Sequence, residues 1–356
     1  MKIQHLLAVG LMTACTTTAF AQSATLYGLI DSGIEHINNI GDEKKSTVRM
    51  PTNSASLPSR WGIRGTEDLG GGLKSMFVIE SGFAPNTGGS NQGGRLFGRQ
   101  AHVGLSGPWG EIKLGRQYSM LYMALLPVDV LGGNIYGSGN LDFYLPNARI
   151  DNSISYLGRF YGLTAGAMYS RDSNQFGALP CGLVDGPAGR GCRHSSFLLQ
   201  YERDGFGLVT AYDVSRGSMP LSVRNDLTDK RLYLAGFGQL AKTKFSLAWL
   251  HRVNDASANE ESDLIFAGVS HEVSPAWTLA ASVARLKYRD SPDHAILYAA
   301  RASYALSKRT AAYVTAGHIN NSGNLDFSVS GGSVTGTNPA AGGSQTGTMI
   351  GLRHFF

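Results

Sequence analysis

The sequence predicts an all-β protein, a transmembrane antiparallel β-barrel of about 16 strands. Segments of roughly ten residues alternate apolar and polar side chains and end at clusters of Gly, Asn, Asp or Ser, the pattern of half-buried strands joined by turns. Short turns alternate with long polar connections along the chain. Past residue 21 there is no run of the ~18 apolar residues that a transmembrane helix needs. Any crossing of a membrane is therefore expected to use strands.

The composition supports a single large β domain. Of 356 residues, 42% are hydrophobic and 16% are charged, and 46 are glycine. The charged share is below the usual ~25% and glycine is about twice its usual ~7%, which disfavours a helical enzyme with a charged surface. The 31 basic residues exceed the 26 acidic ones only slightly. They are dispersed along the chain, so no nucleic-acid partner is expected.

The segment from Thr243 to Val253 illustrates the strand pattern. Phe245 and Leu247 fall on one face, whereas Ala248 and Leu250 fall on the other. Comparable segments number about sixteen, an even count inside the range of bacterial barrels.

The N-terminus has the layout of a cleavable secretory signal. Lys2 precedes an apolar stretch from Leu6 to Met12, and the small-residue triplet 19–21 follows. We expect residues 1–21 to be a signal peptide and residues 22–356 to be the barrel domain. Export also makes Cys181 and Cys192, which lie in one polar loop, a candidate disulfide.

One connection is exceptional in length. About thirty residues from Tyr118 to Ala148 lack clear alternation, and a loop this long in a compact domain is usually functional or disordered. Its start, 120–126, is too apolar for a solvated segment. The loop is therefore expected to pack against another part of the molecule.

The chain ends on an alternating segment. Thr348, Ile350 and Leu352 share one parity, and the last residue is the aromatic Phe356. The sequence thus predicts a final strand with an outward apolar row that ends at a membrane interface.

Four segments together resemble the Gram-negative general diffusion porins, especially the beta-proteobacterial type. They are 25–33, 59–72, 96–101 and 351–356. The resemblance implies a homotrimer in the outer membrane, in contact with the lipid bilayer and its lipopolysaccharide. It also implies a third external loop folded into the lumen, which the connection from Tyr118 to Ala148 would provide. The implied function is a water-filled channel for passive diffusion of small hydrophilic solutes and ions.

The alternation of the strands places several arginines toward the lumen. Arg60 and Arg64 share a face, Arg99 shares one with Ala101, and Arg149 lies opposite Ile150. The resemblance implies a basic cluster on the wall that faces the third loop. Arg60, Arg99 and Arg149 match it, with Arg64 as a fourth candidate.

Two acids in the long loop are candidates for the opposite side of the constriction, Asp129 and Asp142. Opposed charges across a narrow aqueous passage create a transverse field, and an excess of one sign biases which ions enter. More arginines than loop carboxylates predicts anion preference. Three acids with lumen parity, Asp31, Glu35 and Glu80, could offset it.

Arg116 is expected to behave differently from the other arginines. It shares parity with Ile112 and Leu114 and so points outward at the start of the long loop. This position predicts a structural anchor at a subunit contact.

Two other functions remain open on the sequence. A substrate-specific channel would use aromatic side chains along the lumen; the candidates are Tyr27, Tyr118, Tyr122, Tyr136 and Tyr144. A barrel enzyme would need a nucleophile or acid–base motif, and the sequence holds no Gly-x-Ser-x-Gly and no His-x-x-x-His. Neither catalysis nor a cofactor or metal is expected.

Overall fold

The computed structural model describes residues 23–52, 55–171, 192–216, 227–255, 257, 261–331 and 336–356. These residues form one antiparallel sheet of seventeen strands. The strands are β1 Ser23–Ile40, β2 Lys45–Arg49, β3 Arg60–Gly70, β4 Leu73–Gly82, β5 Gln100–Gly107, β6 Gly110–Tyr118, β7 Arg149–Phe160, β8 Leu163–Ser170, β9 His194–Arg203, β10 Phe206–Arg216, β11 Thr228–Leu240, β12 Thr243–Asn254, β13 Glu261–Glu272, β14 Trp277–Tyr288, β15 His294–Ala305, β16 Thr310–Ser322 and β17 Ser344–Phe355.

The sheet closes on itself. β1 pairs with β17 on one side, with Leu29 opposite Phe355, and with β3 on the other, with Leu29 opposite Arg60. The short strand β2 pairs only with the end of β1 within the first long connection, so sixteen strands make up the wall. Closure leaves no free sheet edge, which is what a sheet in lipid requires. The predicted barrel is confirmed.

The predicted alternation sorts side chains between lipid and lumen. On β12, Phe245 and Leu247 are 41% and 59% exposed, whereas Ala248 and Leu250 are 2% and 1% exposed. The outward rows are apolar because they face hydrocarbon. The inward side chains of β12 are buried because they join a core with residues of the long loop, such as Leu121.

The two rims of the barrel differ in the length of their connections. One rim has short turns, such as Asp204–Gly205, where φ values of 53° and 81° suit a tight hairpin turn. The other rim has long connections, including 83–99, 119–148 and 323–343. This is the arrangement that the sequence predicts, with long loops on the external side.

The seam between the chain ends is fixed by backbone hydrogen bonds. The Gly28 N–H donates to the Phe356 carbonyl oxygen at 3.1 Å, and the Phe356 N–H donates to the Gly28 carbonyl oxygen at 3.0 Å. Phe356 therefore has the structural position expected of it at the end of the last strand.

In the ranges that the structure describes, helical structure is confined to the long connections. The helical turns are α1 Asn91–Gly94 and α2 Met120–Leu125, with 3₁₀ turns at Ser138–Asn140 and Leu145–Asn147. Among the described residues, no helix is long and apolar enough to cross a membrane.

Residues 1–22 and Cys181 lie outside the described residues. The signal peptide and the disulfide between Cys181 and Cys192 thus stay predictions. Cys192 itself is 3% exposed.

A candidate ion-selective constriction

The third loop, residues 119–148, packs inside the barrel. Its helix α2 lies against β8, β9 and β10, and the Met120 N–H donates to Ser196 Oγ at 2.8 Å. Leu121 and Ala124 are both 0% exposed and join a core with inward side chains such as Leu250. This burial accounts for the apolar start of the loop.

Two glycines of the barrel wall leave space for a tyrosine of the loop to pack against the strands. A Cβ added at Gly317 on β16 would lie 2.7 Å from Tyr136 Cβ, and one at Gly347 on β17 would lie 2.6 Å from Tyr136 Cε1. Tyr136 is 0% exposed. Only glycine lets the loop approach the strands this closely, so these residues hold the middle of the loop to the wall.

An ion pair holds the distal part of the loop. The Arg231 Nε on β11 donates to Asp142 Oδ2 at 2.8 Å, and both side chains are buried. Burial raises the pKa of Asp142, but Arg231 and Arg252 outweigh burial and hold the pKa below its ordinary value. Asp142 is therefore ionised and paired. Arg231 occupies both carboxylate oxygens, so the charge of Asp142 is compensated locally; its place across the passage from the arginine cluster stays a prediction.

A second contact fixes the same part of the loop. The Tyr144 hydroxyl donates to Asp213 Oδ2 at 2.5 Å, and Asp213 also accepts from Ser196. Tyr144 and Asp213 are 5% and 2% exposed. The β9–β11 wall is thus the anchoring wall of the loop, which we define by Ser196, Asp213 and Arg231.

Asp129 shapes the loop through hydrogen bonds to its backbone, and its place across the passage from the arginine cluster stays a prediction. Its carboxylate accepts hydrogen bonds from the backbone N–H groups of Leu131, Gly132 and Gly133 at 3.0, 3.0 and 3.2 Å. Arg301 on β15 donates to the adjacent Leu131 carbonyl oxygen at 2.8 Å. Within the described residues, neither loop carboxylate contacts the predicted arginine cluster.

The structure brings three of the predicted arginines around one carboxylate and one tyrosine. Arg99 Nε donates to Glu80 Oε1 at 2.7 Å, and Arg99 Nη2 donates to the Tyr118 hydroxyl at 2.6 Å. Arg60 Nε lies 3.7 Å from Glu80 Oε2. The guanidinium carbon of Arg149 lies 5.0 Å from the centre of the Tyr118 ring. We call Arg60, Arg99 and Arg149 the arginine cluster.

Arg64 lies beside this cluster. It is exposed, and its guanidinium carbon is 5.1 Å from the centre of the Tyr27 ring. The Tyr27 hydroxyl donates to Glu80 Oε2 at 3.0 Å, so Tyr27 links Arg64 to the cluster.

Arg149 joins the cluster as predicted, but the argument that placed it there is wrong. That argument continued the alternation of β7 without a break from Ser155 back to Arg149. The pairing of β6 with β7 shifts between Gly115↔Ser153 and Gln117↔Ile150, where Asn152 has a φ of 48°. This bulge reverses the alternation of the residues before it. Ile150, expected to face outward, is 0% exposed.

Arg116 has a partner within its own chain. Its Nε donates to the Gly98 carbonyl oxygen at 2.8 Å, and its Nη1 donates to Asp151 Oδ1 at 2.5 Å. It continues the exposed row of Ile112 and Leu114 but is only 9% exposed, because the β4–β5 connection covers it. Its place at a subunit contact stays a prediction.

Two of the acids that could offset the arginines are engaged elsewhere. Asp31 accepts from the Ser56 hydroxyl and the Tyr313 hydroxyl, both at 2.5 Å. Glu35 pairs with Arg49 at 2.9 Å. Both acids are buried, so only Glu80 partly neutralises the cluster.

Sequence reasoning named Glu80 as an acid that could offset the arginines but did not single it out as the partner of Arg60 and Arg99, and it missed Arg231 as the partner of the loop. The strand alternation places the Glu80 side chain toward the lumen, and this position was the one indication in the sequence that it could meet the arginines. Arg231 is 89 positions from Asp142, and no local pattern connects them. Among the described residues there is no group of His, Cys, Asp and Glu side chains suited to a metal ion.

Comparison with known proteins agrees with this architecture. The family model described as Gram-negative porin matches residues 7–324. An outer membrane porin protein of Bordetella pertussis is 32% identical over 68% of this chain and 68% of its own length. Outer membrane porin protein 32 of Delftia acidovorans is 28% identical over 99% of each chain. The anion-selective porin from Comamonas acidovorans superposes with a TM-score of 0.78 at 26% identity, over 94% of this chain and 100% of that one.

A closed sixteen-stranded barrel with a loop packed in its lumen defines the class of channel-forming outer-membrane proteins. Within that class, this chain belongs to the Gram-negative porin family. It is an outer-membrane porin channel. Family and fold point to a channel and not to an enzyme.

Proposed function

We propose that this porin conducts small hydrophilic solutes and ions with a preference for anions. The observation that carries the proposal is the ratio of charges near Tyr118. Arg60 and Arg99 lie against the carboxylate of Glu80, Arg149 lies over the Tyr118 ring, and Glu80 is the one carboxylate of this group. Low-dielectric walls focus the field of such an excess into the passage. The similarity to an anion-selective porin supports the same conclusion.

The size of the effect follows from Coulomb's law. Two unit charges 4 Å apart interact by about 1 kcal/mol in bulk water and by several times more near a protein surface. Two uncompensated arginines therefore suffice for a several-fold preference for anions over cations of similar size.

Ion substitution in planar-bilayer recordings tests the preference. Replacing chloride by a bulky organic anion is expected to reduce single-channel conductance more than replacing potassium by a bulky organic cation. A larger reduction on cation replacement would contradict the proposal.

The substrate-specific alternative is less well supported. Tyr136 and Tyr144 bury their rings as loop anchors. Tyr27 and Tyr118 are hydrogen-bonded to Glu80 and Arg99. These four tyrosines contact the charged cluster or hold the loop, which argues against an aromatic track for sugars. Tyr122, the fifth candidate, stacks on Tyr118 with ring centroids 4.1 Å apart. Saturable block by one solute class in the same recordings would favour the alternative.

The proposal includes a homotrimer in contact with lipid and lipopolysaccharide, which family membership supports. It also includes removal of residues 1–21 and a disulfide between Cys181 and Cys192. Intact mass spectrometry of the mature protein tests both of the latter, since cleavage fixes Gln22 as the first residue and the disulfide lowers the mass by two hydrogens.

A further inference from the structure

The two ends of the third loop meet beside the arginine cluster. Tyr118 is the last residue of β6 and lies opposite Arg149, the first residue of β7. The Ser119 N–H donates to the Ala148 carbonyl oxygen at 2.8 Å. Ser119 Oγ in turn accepts from the Tyr122 N–H at 3.2 Å, which caps the start of α2. The chain therefore brings Tyr118, Tyr122 and Arg149 to one place in the lumen.

The rings of Tyr118 and Tyr122 are stacked. Their centroids are 4.1 Å apart, and their planes differ by 10°. The guanidinium carbon of Arg149 lies over the Tyr118 ring, 5.0 Å from its centre. Because Tyr122 covers one face of the Tyr118 ring, Arg149 lies over the other face. The negative face of an aromatic ring attracts a cation, so this contact is favourable.

The arginines and the tyrosines differ in how much surface they present to the lumen. Arg99 and Arg149 are each 3% exposed, whereas Tyr118 and Tyr122 are half-buried. Arg60 is the member of the cluster that keeps an exposed part, 25% of its side chain. An anion that passes this wall therefore meets phenol groups beside Arg60, and the charge of the two buried arginines acts on it from behind them.

Both tyrosine hydroxyl groups have a proton to donate to such an anion. Arg99 Nη2 donates to the Tyr118 hydroxyl oxygen at 2.6 Å, which leaves the hydroxyl proton for another acceptor. Hydrogen bonds in a chain polarise one another, so the bond from Arg99 makes this hydroxyl a stronger donor. The Tyr122 hydroxyl is accessible and has no hydrogen-bond partner among the residues that the structure describes.

We propose that Tyr118 and Tyr122 determine which anions the channel favours, through hydrogen bonds from their hydroxyl groups to the anion in transit. A hydrogen bond to an ionised acceptor is stronger when the charge is concentrated on few atoms. The favoured class is therefore compact oxyanions such as formate, and the disfavoured class is anions of similar size with delocalised charge, such as nitrate. The inference rests on the proposed anion preference: the arginines attract anions, and the tyrosines discriminate among them.

Zero-current potentials across a planar bilayer with potassium formate on one side and potassium nitrate on the other test the proposal. The formate-to-nitrate permeability ratio is expected to fall at least about threefold in Tyr122→Phe, because a hydrogen bond to the anion is lost without a change in charge. The ratio should fall further in Tyr118→Phe/Tyr122→Phe. The matched control is Tyr298→Phe, which removes a hydroxyl from the outer face of β15, where Tyr298 is 47% exposed. The control is expected to keep the original ratio.

The chloride-to-potassium permeability ratio of the same channels separates this inference from the proposed function. An anion-selective unaltered channel with equal formate-to-nitrate ratios in Tyr122→Phe and Tyr298→Phe would overturn the inference and leave the proposed function intact. A lower chloride-to-potassium ratio in Tyr122→Phe with an unchanged formate-to-nitrate ratio would also overturn it, because the tyrosine would then only hold the arginines in place. A cation-selective unaltered channel would overturn the proposed function itself, and the inference with it.

Discussion

The two charged walls inside the barrel use the same residue types for different purposes. In the arginine cluster, Arg60 and Arg99 lie against Glu80, Arg149 lies over Tyr118, and Glu80 is the one carboxylate of the group. On the anchoring wall and the adjoining strand β12, the arginines are paired with acids: Arg231 contacts Asp142 and Asp229, Arg252 contacts Asp229, and Asp213 adds a further carboxylate. Under the proposed function, the ratio of arginines to acids, and not the number of arginines, distinguishes the wall that selects ions from the wall that holds a loop.

Removing an arginine from the anchoring wall is expected to have the largest effect on the stability of the protein. Arg231→Met leaves Asp142 buried without its main partner, and breaking a buried pair in this way costs about 3–5 kcal/mol. We expect a lower melting temperature in detergent and noisier open-channel currents as the loop loosens. Arg203→Met is the control, because the pair of Arg203 with Asp204 is exposed and is worth about 0–1 kcal/mol. Equal destabilisation by both variants would show that the buried pair holds the loop no better than an exposed pair stabilises a turn.

Adding a side chain at a wall glycine that Tyr136 packs against is expected to lower the stability by a smaller amount. In Gly317→Ala, the new Cβ lies 2.7 Å from Tyr136 Cβ, and overpacking of this kind costs about 1–3 kcal/mol. The matched control is Gly236→Ala on the outer face, where the nearest atom is Leu208 Cδ2 at 3.4 Å. Thermal unfolding in detergent should separate the two variants. Equal melting temperatures of the two variants would show that the packing of Tyr136 against Gly317 does not hold the loop.

Acid is expected to have the smallest effect of the three changes on the anchoring wall. Because the pKa of Asp142 lies below its ordinary value in the folded protein, its stabilising contribution is present above the ordinary value of about 4. The contribution is lost as pH falls from there through the lowered pKa. Channel closures should therefore increase below about pH 4. In Asp142→Asn the increase should be smaller, and an unchanged acid response in that variant would assign it to other groups.

The walls of the barrel could be predicted from the sequence because alternation is a local property. The faces of β12 are where the pattern puts them, since each side chain meets either lipid or lumen. Alternation failed at Arg149, where a bulge at Asn152 adds a residue with a positive φ that no glycine marks. The partner of Asp142 could not be predicted, because loop folding brings it to Arg231 from 89 positions away.

The zero-current potential across a bilayer with a potassium chloride gradient tests the central claim most directly. The account predicts an anion-selective potential for the unaltered protein and a several-fold lower anion-to-cation permeability ratio for Arg60→Gln/Arg149→Gln. Arg116→Gln, which removes an arginine bonded to Asp151 outside the cluster, should keep the original ratio. A cation-selective potential in the unaltered protein, or equal shifts in the two variants, would contradict the account.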